Sequence, residues 1–385
     1  MRSRLYPRSG SLCNKLIKNI RGQGGQKAPC PLFLSTLIHI RNVTTMAHGR
    51  SSGFVLPLLS IAALLVLAQT LVQAQAYQPL TRLSESDGFW EINAKPTYEG
   101  TAAEGLLIGV RMVNATFNDR NPATRPKGFD PDKNTEAFLK SLPSYLSSGV
   151  NTILLNLQGA EPGYQGALNS AFNPDGSLRK DDLARVSRVI EACDKQGAVV
   201  VLGFFSSGQD QVLKGPGAVE AATKNASEWI RNKGYANVLA QVAEEHTSKK
   251  YDHELISSPA GCASLIRIAR TAHPKLKVSA SGPANGRVAN EVGDEANVLF
   301  PRFNGTPLER INLMVVKLAK RSKAIFCVDD SKSGQEALQA LEICVKSLCS
   351  WSYSSPKKNQ HYPFTYRGPD DDQAVYSGIR KLTRK

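Results

Sequence analysis

From residue 105 to residue 383 the chain alternates short apolar runs with stretches whose apolar positions recur at helical spacing. The runs are 106–115 (LLIGVRMVNA), 151–159 (NTILLNLQG), 198–205 (AVVVLGFF), 237–243 (NVLAQVA), 276–282 (LKVSASG), 297–303 (NVLFPRF), 323–330 (KAIFCVDD) and 349–355 (CSWSYSS). Bounded apolar runs of this length read as buried strands. Helical periodicity is clearest in NTEAFLKSLPSYLSSG, DDLARVSRVIEACDKQG, PLERINLMVVKLAK and SGQEALQALEICVKSLC. Strands alternating with helices predict parallel βαβ units. Eight such units predict a single-domain, closed (β/α)8 TIM barrel of the α/β class. Chemistry is then expected at the C-terminal ends of the strands and stability at the other end. The fold alone does not say which chemistry.

Ahead of the barrel the pattern changes. Residues 1–45 form a basic extension, 46–76 an apolar leader and 77–104 a lead-in to the barrel at 105–385. Residues 1–76 hold nine Lys and Arg and no Asp or Glu. Without them the 48 basic residues fall to 39 against 33 acidic, a net charge of +6 instead of +15. The basic balance therefore belongs mainly to the leader. It gives no reason to expect a nucleic-acid partner. Within the leader, FVLPLLSIAALLVLAQTLV (54–72) follows Arg50 and precedes Ala74-Gln75-Ala76. A basic flank, an apolar core and a small-x-small site make a secretory signal peptide, with Met46 as a natural start and Tyr77 as the first mature residue. Secretion is the expectation. The alternatives are a type II membrane anchor, if 54–72 stays uncleaved, and an organellar presequence in the Arg-rich 1–45.

Five cysteines follow residue 76, none with CxxC spacing, so they read as buried thiols and not as a disulfide framework or zinc site. Three sequons occur, at Asn114, Asn225 and Asn304. Asn114 and Asn304 fall near the presumed active face. Asn225, on an exposed helical stretch, is the better glycan site if the chain is secreted.

The strand ends give the chemical inventory. Arg111 and Asn114 end the first strand, Asn156 and Gln158 the second, and a long loop after it carries Glu161, Tyr164 and Asn169. Gln209 and Asp210 follow the third, Glu244, Glu245 and His246 the fourth, Arg302 and Asn304 the sixth, Asp329 and Asp330 the seventh, and Trp351 and Tyr353 lie in the eighth. A rim of amides, carboxylates and aromatics suits a polyhydroxylated ligand. No glycine-rich phosphate nest follows strands seven and eight, and no lysine projects from a strand end for a Schiff base. No cofactor is implied. His246 and His253 beside Glu245 and Asp252 lack HExxH spacing, so no metal is implied either.

Glu244-Glu245 is the sharpest feature. Adjacent strand residues point to opposite sides, so one of the two is expected to face the barrel axis. A carboxyl there could act as a general acid.

Taken in order, GLLIGVRMVNATFNDRNPATR, NTILLNLQGAEPGY, AFNPDGSL, GFFSSGQDQ, NVLAQVAEEH with YDH, and IFCVDD resemble the cellulase-like (β/α)8 glycoside hydrolases of the family 5 type. The resemblance covers roughly residues 105–355. It implies an oligo- or polysaccharide ligand, and an Asn-Glu pair ending strand four with the Glu as acid/base. It also implies a nucleophilic Glu ending strand seven, about 5–5.5 Å from the first carboxyl. Glu245 matches the acid/base, but Glu244 replaces the Asn, and Val328 stands at the nucleophile position. Trp351 matches the sugar-stacking platform, and Arg302 and Asn304 the strand-six donors. The expected catalytic pair is Glu245 with Asp330, or Asp329, as the substitute. Arg111, Asn156, Gln158, Gln209, Glu244, His246, Arg302, Asn304 and Trp351 are the expected substrate contacts. Asp330 would lie about 6.6 Å beyond Val328 on the same side of an unbroken strand, a spacing suited to inversion. The other reading is a carbohydrate-binding barrel that has lost its nucleophile.

Overall fold

The computed structural model describes residues 77–159, 166–355 and 359–385. The leader features at 1–76, and Glu161 and Tyr164, lie outside the described residues. Seven parallel strands form one sheet: β4 (Ile108–Arg111), β5 (Thr152–Asn156), β6 (Val199–Phe205), β7 (Val238–Ala243), β8 (Lys277–Ser279), β9 (Phe326–Asp330) and β10 (Ser350–Tyr353). Their spatial order is β8-β7-β6-β5-β4-β10-β9. The expected sixth strand joins the two edges by single parallel bridges, Phe300 to Ser281 on one side, Leu299 to Ile325 and Arg302 to Asp329 on the other. Pro301 explains why this stave makes bridges and no continuous ladder. It has no N–H to donate, while its carbonyl accepts from Val328 N at 3.1 Å. The ring is thus closed by eight staves, as the repeat predicts.

The helices fall where the periodicity places them. α1 (Pro131–Leu146) starts on Asp130, whose carboxylate accepts from the backbone N–H groups of Asp132 and Lys133. α2 (Lys180–Lys195), α3 (Pro216–Lys233), α4 (Glu254–Ser257), α5 (Pro259–Ala272), α6 (Asn290–Glu295), α7 (Leu308–Ala319), α8 (Gly334–Lys346) and α9 (Gln373–Thr383) follow. Their apolar stripes pack on the outward face of the sheet, as with Phe138, Val186, Ile190, Ile230, Ile266 and Leu341. The five cysteines are free and buried.

A second, smaller cluster fills the barrel itself: Leu107, Leu154, Val199, Val201, Leu239, Val298, Phe300, Phe326 and Val328, capped by Trp90. Trp90 comes from the lead-in, which folds as an antiparallel sheet of β1 (Leu83–Ser86), β2 (Phe89–Ile92) and β3 (Lys95–Pro96). That sheet is tied to the strand starts by Leu83 N donating to Ala236 O (2.9 Å) and by a Lys277–Glu85 ion pair (3.0 Å). Gly105, at φ +75°, turns the chain from this sheet into β4, and a Cβ there would lie 2.5 Å from the Phe89 ring. The N-terminal end of the barrel is plugged. The opposite end holds the cleft.

Candidate active site

At the C-terminal ends of the staves Arg111, Glu244, Glu245, Arg302, Asn304 and Asp329 line one cleft of about 440 Å³. Ser206, Ser207, Ser248, Lys250, Ser331, Ser354 and Gln360 complete it. Arg111, at the end of β4, pairs through Nη2 with Glu244 and donates through Nη1 to Gln360 Oε1 at 2.9 Å. Asn156 Nδ2, at the end of β5, donates to the other Glu244 oxygen at 3.0 Å. Arg302 stands between the remaining carboxylates. Its Nε and Nη2 donate to Asp329 Oδ2 (3.1 and 2.8 Å), and Nη1 lies 3.0 Å from Glu245 Oε2 at an angle that makes an ion pair without a hydrogen bond.

Both adjacent glutamates reach the cleft, against the expectation that one would turn away. Strand alternation ends at Ala243, and Glu245 takes a left-handed backbone, φ +48°. That conformation is costly for a residue with a Cβ. It is held from three sides: Glu245 N donates to Ser281 Oγ (3.0 Å), His246 N to Ser281 O (2.9 Å), and Tyr251 Oη to Glu244 O (2.6 Å). Strain fixed by its surroundings is a mark of functional sites.

The aspartates exchange the roles expected of them. Along β9 and β10, Cys327 pairs with Trp351 but Asp330 pairs with Tyr353, three residues against two. This bulge reverses the facing beyond Val328. Asp329 therefore enters the cleft, and Asp330 points outward behind the wall. There it is fully buried, pairs with Lys332 Nζ at 3.1 Å and accepts from Trp351 Nε1 at 3.1 Å. Trp351 is itself fully buried in the outer core, stacked on Tyr353. It offers no platform to a sugar, and no aromatic lines the cleft among the described residues. Val328 belongs to the apolar cluster inside the barrel. Burial pushes the Asp329 pKa up, but the charges of Arg302 and Arg111 and hydrogen bonds from Arg302 and Asn304 outweigh it, and the carboxyl lies below its ordinary range. Asp330 lies above it, because burial outweighs Lys332 and the indole.

Three other expected contacts are structural. Gln158 is buried, accepting from Ser206 N (3.2 Å) and donating to Ser170 Oγ and Gln209 O (3.2 and 3.1 Å). Gln209 accepts from Asn169 N (2.9 Å) and donates to Ala167 O (2.8 Å). Both tie loop backbone that would otherwise be buried without partners. His246 packs behind Gly282 at 1% exposure, and burial lowers its pKa against the pull of Glu291. Gln360 carried no signal in the sequence, since it follows the last strand and belongs to no repeat. It clamps Arg111 from both ends, accepting from Nη1 and donating to the Arg111 carbonyl at 2.9 Å.

No family model and no curated relative matches the chain. Solved structures do. The endo-1,4-beta-mannanase from Rhizomucor miehei superposes with a TM-score of 0.53 at 9% identity, over 79% of this chain and 100% of its own. The endo-1,4-beta-mannanase from Eisenia fetida gives 0.52 at 10%, over 79% and 96%. A GH5-4 broad specificity endoglucanase from Clostridium longisporum gives 0.51 at 9%, over 75% and 99%. The chain thus has the (β/α)8 barrel fold of the cellulase-type GH5 glycoside hydrolases.

Proposed function

We propose that this protein binds an oligo- or polysaccharide in the cleft at the mouth of the barrel. Three carboxylates, two guanidiniums and an amide converge there from four different staves, and this convergence is the observation that carries the reading. Such a lining offers directional donors and acceptors to a polyhydroxylated ligand. The solved barrels it resembles include mannanases and an endoglucanase. The retaining nucleophile that the resemblance implies is missing, because its position holds Val328, which packs into the apolar barrel core. A second reading is favoured by one observation, that Asp329 and Glu245 face the cleft from either side of a single guanidinium. Displacement of Arg302 by substrate would free both, Glu245 to protonate the leaving oxygen and Asp329 to activate water, with inversion. The chain is further proposed to be secreted, with Tyr77 first.

Calorimetric titration with manno- and cello-oligosaccharides tests the proposal. Saturable binding to wild type that Arg302→Ala abolishes supports it, and no binding to any oligosaccharide ends it. Proton NMR of the products separates the two readings. An inverted anomer that disappears in both Asp329→Asn and Glu245→Gln establishes the hydrolase, and binding without turnover leaves the binding barrel.

A further inference from the structure

A second groove lies on the outer side of the barrel, along α3. It measures about 470 Å³ and is lined by Asn225, Glu228, Trp229, Asn232 and Lys233 of the helix, with Ser177 and Leu178 of the loop before α2 opposite. None of these residues belongs to the cleft. Asn225 and Trp229 are one helical turn apart and share a face. Trp229 is half-buried and braced edge-on by Tyr235 at 5.5 Å. The groove therefore joins an indole to a rim of amide, carboxylate and ammonium groups, and one of its amides heads a sequon, Asn225-Ala226-Ser227. The other two sequons open on no such surface. Asn114 is 1% exposed with its Nδ2 given to Gln360 O, and Asn304 lines the cleft.

We propose that Asn225 carries an N-linked glycan whose first sugar seats in this groove against Trp229. In the transfer, Asn225 Nδ2 attacks C1 of a lipid-linked oligosaccharide pyrophosphate, the C1–O bond breaks, the lipid pyrophosphate leaves, and the amide gives up one of its two protons. The remaining N–H can keep the 3.0 Å hydrogen bond that Asn225 makes to Gly176 O. Linkage thus costs the folded loop nothing it now has. The apolar face of the first sugar then covers the indole while its hydroxyls and N-acetyl group meet Glu228, Asn232 and Lys233. This inference rests on the proposed secretion and is independent of what the cleft binds.

The test is the full chain, with its own leader, expressed in a eukaryotic secretory host. Medium and cell fractions are mapped by peptide mass spectrometry with and without peptide-N-glycosidase. Expected is an occupied Asn225 that Asn225→Gln removes. The glycan should resist the glycosidase in the native protein, and in Trp229→Ala its native release should be roughly two- to tenfold faster, the range set by one aromatic contact. Asn232→Ala with Lys233→Ala, both exposed positions, gives the same readout should Trp229→Ala misfold. Secreted protein with unmodified Asn225, or equal release rates in wild type and both variants, overturns the glycan seat while secretion stands. Unmodified protein held in the cell overturns both.

Discussion

Asp329 meets the Arg302 guanidinium in the cleft, whereas Asp330 meets an ammonium and an indole behind the wall, so one substitution should have separable effects at the two sites. Asp329→Asn is expected to weaken oligosaccharide binding about 10- to 100-fold by calorimetry, the worth of a hydrogen bond to a charged group, and to lower stability as well, since Arg302 loses its hydrogen-bonded carboxylate. Asp330→Asn should leave affinity unchanged and cost about 3 kcal/mol in denaturant titrations, since it strands the Lys332 ammonium inside the protein. Their pH dependences run in opposite senses. The depressed Asp329 carboxyl contributes stability that is complete above about pH 4 and is lost as pH falls through its folded value. The raised Asp330 carboxyl holds its proton longer in the folded state, so its contribution falls as pH rises from about 4 through its folded value. Denaturation of wild type and each variant across that range reads both slopes. Opposite affinity effects, with Asp330 the sensitive residue, would show that the bulge does not set the facing.

The elements themselves were legible in the sequence. α1, α2, α7 and α8 lie within a few residues of the periodic stretches, because an apolar stripe against the sheet dictates both. Residues that simply end a stave, Arg111, Glu244, Glu245, Arg302 and Asn304, were legible for the same reason. What was not legible depends on departures from regular geometry. No residue type announces that β9 gains a residue against β10, and that one register shift moves Asp330 and Trp351 out of the site together. Polar side chains near a rim also have loop backbone to satisfy, which claimed Gln158 and Gln209. Two expectations belong to this scale. Glu245→Gly should be more stable than Glu245→Gln by about 1 kcal/mol, because both lose the carboxylate and only glycine accepts φ +48° without strain. Thermal melts of the pair check it, and equal stability would remove the strain. Trp351→Ala should cost about 3–5 kcal/mol by denaturation without altering carbohydrate affinity, as for any large core residue. A loss of affinity larger than the loss of stability would restore Trp351 to the site.

At the scale of the whole molecule, the first described residues are fastened to the barrel. Tyr77 Oη donates to Asp194 Oδ2 at 2.5 Å, and the backbone N–H groups of Leu80 and Thr81 donate to the same carboxylate at 2.9 and 2.8 Å. A cut after Ala76 keeps all of these contacts, and one after Thr81 loses them. N-terminal sequencing of secreted protein is therefore expected to begin at Tyr77, and a start inside 83–96 would be incompatible with a stable barrel. The plug that follows has a consequence for traffic. With Trp90 closing the far end, the barrel axis is a dead end, and a polymer cannot thread through it. It can only lie across the mouth, so arriving and departing ligands share one doorway, and the second must wait for the first to leave. Affinity should then rise with chain length only until the mouth is crossed, and longer chains should gain nothing further.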